Sequence, residues 1–283
     1  MGDDTAGGDL GGRTAIVTGA ARGQGRAVAR MLARRGAAIR IADLCAPSDT
    51  APYPLATRDD LAETARLIER DGGVCHASVL DVRDSAAVTS FADAVAAESG
   101  GIDVLVTCAG IVGFAPVTEL TDVMWADMLA TNLTGTFHCV RAALPHMLAA
   151  GSGRIVAISS MSGRQGTPNL AHYSASKWGV IGLIKSVALE YADRGVTANV
   201  VCPTNVDTPM LHNPALYSLF APDLDNPARE DVEERYARMS PMRIPWCPPD
   251  AIADAVGHLV GGSGRYVTGS VLDVGLGATA RMP

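Results

Sequence analysis

The chain has 283 residues, 48% of them hydrophobic and 19% charged, a composition able to bury one large core. Its net charge of −7 speaks against a dedicated nucleic-acid or anionic-membrane surface, and no apolar run approaches the ~20 residues of a membrane span. The six cysteines, Cys45, Cys75, Cys108, Cys139, Cys202 and Cys247, lie far apart without a C-x-x-C pair. That spacing suits neither a metal site nor a disulfide framework, and it fits mostly buried free thiols in a reducing cytoplasm.

Residues 1–11 are acidic and glycine-rich, with no basic stretch followed by an apolar one. They read as a disordered arm rather than a secretory signal, ahead of one domain spanning 12–283. The first predicted strand, Thr14 to Val17, runs into Thr18-Gly-Ala-Ala-Arg-Gly-Gln-Gly and then a helix from Gly25 to Arg35. Glycines where a strand turns into a helix let a ligand approach the main chain, and the helix N-terminus offers free N–H groups to a pyrophosphate. The spacing here is G-x-x-x-G-x-G, not the common G-x-G-x-x-G. A second strand, Ala38 to Ala42, leads to Asp43, twenty residues after Gly23. An acid there can accept from the adenosine ribose hydroxyls and repel a 2′-phosphate, which favours NAD over NADP. Arg22 argues the other way, and a cap or turn role is the plainer alternative for Asp43.

The segment Cys45 to Thr57 carries Pro47, Pro52 and Pro54 and interrupts the rhythm as an insertion. Helix Asp59 to Arg70, strand Val74 to Val79, helix Ser85 to Glu98 and strand Val104 to Val106 follow. One long helix is expected from Asp122 to Leu148, then strand Ile155 to Ile158, helix Tyr173 to Tyr191 and strand Thr197 to Val201. A proline-spaced region, 204–249, precedes the last helix, Pro249 to Val260, and the last strand, Val271 to Val274. Loops this long are usually lids, with surface decoration as the alternative. Short β-branched strands that are apolar on both faces, alternating with helices, predict a single doubly wound Rossmann-type α/β domain with about seven parallel strands.

Two stretches carry chemistry. Tyr173 and Lys177 are four apart and share a helix face, where an ammonium should favour the phenolate and lower a phenol pKa that is about 10 when free. Ser160 follows the fifth strand, at the carboxyl edge where open α/β sheets bind ligands, and its hydroxyl could hold a substrate oxygen; Ser159 and Ser162 compete for that role.

The turn from Thr18 to Gly25, with Ser160, Tyr173 and Lys177, resembles the short-chain dehydrogenase/reductase family over nearly the whole chain from about Gly12. The resemblance implies a general acid/base at Tyr173. It also implies a lysine, Lys177, that holds the nicotinamide ribose and lowers the Tyr173 pKa, a carbonyl-polarising Ser160, and a proton relay completed by Asn132. It places the cofactor on Gly19, Arg22, Gly23, Gln24 and Gly25, on Asp43 and Leu44, on Asp81 and Val82 beside the adenine, on Ala109 and Gly110, and on Val206 and Thr208 at the carboxamide. Two positions depart from the family pattern: Thr107-Cys108 stands where Asn-Asn is usual, and Thr204 replaces a glycine after Pro203.

The insertion, together with the stretch from Pro203 to Pro214, is similar to a narrower group, the mycofactocin-associated, carveol dehydrogenase-like enzymes. That likeness implies a cofactor covered by the insertion, an external redox carrier (mycofactocin) that regenerates it, and a homotetramer. The candidate substrate wall, Val112, Phe114, Met161, Pro168, Leu170, Met210, Leu211, Tyr217, Phe220 and Trp246, is mostly apolar and suits a cyclic terpenoid or alicyclic secondary alcohol. An NADPH-dependent acyl-carrier ketoreductase and a non-catalytic NAD-binding protein are the alternatives; the complete Asn132, Ser160, Tyr173 and Lys177 set argues against the last.

Overall fold

The computed structural model describes residues 8–281. Strands β1 (Thr14–Thr18), β2 (Ala38–Asp43), β3 (Cys75–Val79), β4 (Val104–Thr107), β5 (Gly153–Ile158), β6 (Val196–Pro203) and β7 (Val271–Val274) form one parallel sheet in the order β3-β2-β1-β4-β5-β6-β7. Strands β1, β4 and β6 are buried at every position, whereas the edge strands β3 and β7 are partly exposed. This is the doubly wound fold expected of short strands that are apolar on both faces. Helices α1 (Gly23–Arg34), α2 (Arg58–Arg70) and α9 (Pro249–Val260) cover one face of the sheet. Helices α3 (Ser85–Ser99), α5 (Gly135–Ala150) and α6 (Ala171–Tyr191) cover the other. The order reverses between β1 and β4, so the crevice where such sheets hold ligands opens beyond the ends of those strands.

Four local features differ from the sequence reading. The long helix expected from Asp122 to Leu148 is broken into α4 (Asp122–Leu129), a π-helical turn at Ala130–Thr134, and α5. The region 204–249 is not a bare loop: it holds α7 (Pro214–Phe220) and α8 (Arg229–Met239). Helix α1 starts at Gly23, two residues early, and α6 at Ala171. Residues 1–7 of the expected arm lie outside the described residues, but Leu10 is 4% exposed and its N–H donates to the Arg35 carbonyl at 2.9 Å, so the packed part of the chain begins before Gly12.

Over the carboxyl edge of the sheet sits a third apolar cluster. It joins Ala51 and Tyr53 of the insertion, Ile111 and Val112 after β4, Met128 of α4, and Leu211, Leu216, Tyr217, Val232 and Tyr236 of the 204–249 region. Tyr236 is fully buried against Phe220, with ring centroids 4.6 Å apart, and its hydroxyl has no partner among the described residues. A buried hydroxyl that gave up water without regaining a hydrogen bond destabilises the fold. Tyr236→Phe is therefore expected to raise stability by about 1 kcal/mol, seen as a melting temperature a few degrees higher. A lower melting temperature in calorimetry would show that the hydroxyl is satisfied.

Candidate active site

The site begins at the turn after β1. A side chain at Gly25 would put its Cβ 2.1 Å from the Gly19 carbonyl oxygen, and Gly19 itself has φ +65° with the Ala109 N–H beneath it. Only glycines let the turn fold this tightly. Three groups then fix it. Asp43 accepts from Ala21 N–H at 3.0 Å; the Arg26 guanidinium donates to the Ala21 and Asp60 carbonyls; Thr64 Oγ1 donates to the Ala21 carbonyl at 2.9 Å. Asp43 thus has the turn role offered as its alternative, with one oxygen; its side chain also lines the cavity above the turn. Burial pushes its carboxyl above the ordinary value, with the Ala21, Cys45 and Leu44 N–H groups opposing.

That cavity is lined by Gly19, Arg22, Gly23, Gln24, Gly25, Asp43, Leu44, Asp81, Val82, Ala109, Gly110, Tyr173, Lys177 and Thr208. These are the residues predicted for the cofactor, brought together from five strand ends. Val206 is the exception: it lines the adjacent cavity and pairs with Cys247. Arg22 does not stand free for a 2′-phosphate, since its guanidinium donates to the Pro54 carbonyl of the insertion. The insertion forms part of the wall through Ser48, Tyr53, Leu55 and Ala56. It is fastened at two further points. Thr50 and Ser48 donate to Asp127 of α4, and Tyr53 Oη accepts from Val112 N–H at 3.2 Å. Asp127 also accepts from Arg83 at 2.7 Å, and Arg83 clamps Asp81 with both ends of its fork. Burial works to raise the Asp81 carboxyl, but the Arg83 hydrogen bonds outweigh it and hold it below the usual range. The motifs do not mark Arg83 or Asp127; the one available signal was that Arg83 directly follows the Asp81-Val82 pair.

A second cavity adjoins the first, and Ser159, Tyr173, Thr208, Gln24 and Met210 line both. Val112, Phe114, Met161, Leu170, Leu211 and Phe220 line it as predicted for the substrate, while Pro168, Tyr217 and Trp246 do not. Tyr217 instead binds His212 at 2.8 Å, and Trp246 packs edge-on against the same imidazole, so both fasten the 204–249 region to itself. Geometry separates the three serines. Ser159 Oγ is turned away to donate to the Lys177 carbonyl at 2.8 Å, and Ser162 Oγ is paired with Thr167 at 3.2 Å. Ser160 Oγ, which accepts only from Ser162 N–H, is the one beside Tyr173.

Lys177 is 6% exposed, and its Nζ donates to the Ile158 carbonyl at 3.0 Å, 5.6 Å from the Tyr173 ring centre. Burial pushes Lys177 down to about 8. The expected lowering of Tyr173 is not found: burial pushes its phenol up, with only the Ser160 hydroxyl opposing. Desolvation of the phenolate outweighs an ammonium that is itself turned to a carbonyl. Asn132 sits in the π turn behind Gly110, lining neither cavity. Its amide exchanges two hydrogen bonds with Ile111, at 2.8 and 3.0 Å, and donates to Ser176 Oγ at 3.2 Å, which in turn donates to the Tyr173 carbonyl. A side chain at Gly110 would meet Asn132 Oδ1 at 3.1 Å and Lys177 Nζ at 3.6 Å, so the two groups face one small space. The Cys108 side chain makes apolar contact with the core, and among the described residues it forms no hydrogen bond and the Thr107 hydroxyl is unpartnered; the Cys108 N–H to the Thr18 carbonyl, 3.2 Å, joins β1 to the loop. Among the described residues no group of three or more His, Cys, Asp or Glu could hold a metal, and no helix is long and apolar enough to cross a membrane.

The short chain dehydrogenase family profile matches residues 13–215. A (−)-trans-carveol dehydrogenase from Rhodococcus erythropolis is 39% identical over 274 residues, 95% of this chain and 98% of that protein. The crystal structure of carveol dehydrogenase from Mycobacterium avium in complex with NAD superposes with a TM-score of 0.95 at 39% identity, over 97% of this chain and all of that one. An actinorhodin polyketide ketoreductase variant crystallised with NADPH is more distant, with a TM-score of 0.85 at 32% identity over 96% of this chain and 98% of that one.

The buried Lys177 carries a stability cost with a defined sign. Its folded pKa of about 8 lies below the ordinary 10.5, so the charge is penalised fully below pH 8 and the penalty fades as pH rises to 10.5. Lys177→Met is expected to unfold at a higher temperature than the parent at pH 7, by up to about 3 kcal/mol of stability, with the gap closing toward pH 10. Melting curves across that range check it; a gap that widens with pH would reverse the assignment.

Proposed function

The chain belongs to the short-chain dehydrogenase family, and on that footing we propose that it interconverts a secondary alcohol and its ketone with NAD as cofactor. One observation carries the reading: Tyr173, with Ser160 beside it and Lys177 behind it, stands in the wall shared by a glycine-turn cavity and an apolar one. The first cavity suits a dinucleotide. Glycine backbone forms a cradle that a Cβ would fill, an acid lies at the β2 end, and the nearest cation, Arg22, is engaged by the insertion. That combination favours NAD over NADP, and the NAD complex of the carveol dehydrogenase supports it. The likeness to the polyketide ketoreductase with NADPH keeps an acyl ketoreductase as the second reading, which the engagement of Arg22 by the insertion opposes.

NAD, when bound, supplies the hydride acceptor or donor. The chain does the rest. Tyr173 Oη gives or takes the proton at the substrate oxygen, and Ser160 Oγ holds that oxygen in place. With burial raising the phenol, the protonated form rests at neutral pH, ready to act as the acid in ketone reduction. Lys177 Nζ is placed to hold a ribose hydroxyl, and Asn132 braces the loop at Ile111 that closes the space in front of it. The wall of Val112, Phe114, Leu170, Leu211 and Phe220 excludes water and fits a compact alicyclic or terpenoid alcohol, the class to which carveol belongs. Heat-denatured protein should release NAD and not NADP. Tyr173→Phe, which keeps the ring, should retain the nucleotide and lose turnover by at least about a hundredfold; near-normal turnover on a good alcohol would overturn the mechanism.

We further infer that the insertion holds NAD so that it exchanges slowly and is regenerated in place by an external redox carrier, with mycofactocin the candidate. Three ties to Arg22, Asp127 and Val112 support this, the first two on the wall of the cofactor cavity and the third on the adjoining one. A homotetramer fits the exposed Trp125, Phe137 and Trp178, and a cytoplasmic location fits the free thiols. Replacing residues 46–56 by two glycines should speed NAD release in stopped flow by about a hundredfold while leaving single-turnover chemistry, if the loop contributes about 3 kcal/mol in the bound state. Equal release rates would rule the lid out.

A further inference from the structure

Tyr53 lies in the middle of the insertion, eight residues beyond the turn at Cys45. A loop that only roofed the adenosine would leave this side chain over the β2 end. Instead it reaches across the cavity to the loop after β4. It is 6% exposed, packed in the apolar cluster with Val112, Ile111 and Met128, and Tyr173 packs against the same cluster. Its hydroxyl accepts from Val112 N–H at 3.2 Å. It has no acceptor for its own proton among the described residues, although it lines the cofactor cavity. A buried donor left without an acceptor is costly, so a ligand oxygen is the natural partner. Burial holds the phenol well above its ordinary value, with the Val112 N–H opposing, so the hydroxyl stays a donor across the working pH range. Arg22 of the phosphate turn and Tyr173 at the reacting end line the same cavity as Tyr53, and its contacts with Val112 and the cluster beside Tyr173 turn the phenol toward the reacting end.

We propose that Tyr53 is a cofactor-binding residue whose hydroxyl donates to an oxygen in the central half of the dinucleotide, the nicotinamide-side phosphate or the nicotinamide ribose. The proposal rests on NAD occupying the glycine-turn cavity. It gives the insertion a recognition role at the cofactor's middle, beyond covering it. The phenol is held in aim by the Val112 N–H on one side and by Thr50 with Asp127 on the other, so the contact forms only when the insertion is seated. An acceptor bearing partial or full negative charge would make it a charge-assisted hydrogen bond.

The test uses the full chain freed of nucleotide and titrated with NAD, ADP-ribose and AMP. Tyr53→Phe keeps the ring in the cluster and deletes the donor. It should weaken NAD and ADP-ribose about tenfold each and leave AMP unchanged, because AMP carries only the adenosine-side phosphate and lacks the second phosphate and ribose. NAD release from the holoprotein should quicken by a similar factor. Asp127→Asn loosens the insertion without touching Tyr53 and should weaken all three ligands together. Unchanged NAD and ADP-ribose binding in Tyr53→Phe overturns the proposal. So does an equal loss for AMP, which marks Tyr53 as a fastening of the loop alone. A parent chain that binds no NAD in the same titration overturns the NAD reading and this proposal with it, whereas selective loss in Tyr53→Phe upholds both.

Discussion

The close approach of Gly25 to the Gly19 carbonyl governs the rest of the site. It decides where the N-terminus of α1 points, and therefore where an anion can be held. The groups that lock this turn do a second job each. Asp43 caps Ala21 and ends β2 in the cavity; Arg26 ties the turn to the first residues of α2, where Thr57 and Asp60 form a capping box. The insertion therefore leaves the sheet beside the turn and returns to a helix bound to that same turn. Its two ends are fixed, which lowers the entropy lost when the middle is seated across the cavity.

At the reacting end, burial is the dominant force. Lys177 and Asn132 are buried and held by main-chain groups, Lys177 by the Ile158 carbonyl and Asn132 by both polar groups of Ile111, whereas Tyr173 has the Ser160 hydroxyl beside it. Lys177 is pushed down to about 8 and Tyr173 up from the ordinary phenol value, so the two pKa values move apart and the amine loses its charge before the phenol gains one.

The sheet and most helices were legible because parallel strands buried on both faces write continuous apolar runs, as β1, β4 and β6 do. The glycine turn and the Tyr173–Lys177 spacing were legible because function demands particular residue types there. Helices α7 and α8 were not. Helix α8, Arg229–Met239, is almost wholly charged on its exposed face and hides only Val232 and Tyr236. The π turn escaped notice because a helix of good formers reads straight through it. The pKa of Tyr173 could not be read from i,i+4 spacing, since spacing reports proximity and not where Nζ is aimed. Arg83 and Asp127 act through contacts 44 residues apart, which no local pattern encodes.

The π turn at Ala130–Thr134 also works as a phase shift. One extra residue in a helix rotates everything beyond it by about 100° relative to what came before. The turn lets α5 present Cys139, Ala143 and Met147 to the sheet while α4, on a different azimuth, keeps Asp127 toward Arg83 and Thr50. A one-residue deletion anywhere in that turn would restore regular helical winding at the expense of this offset. The core contacts of α5 would hold α5 in place, so α4 would absorb the rotation and carry Asp127 out of reach of the insertion. The length of this turn is thus as much a determinant of the cofactor cavity as the identity of any residue in it.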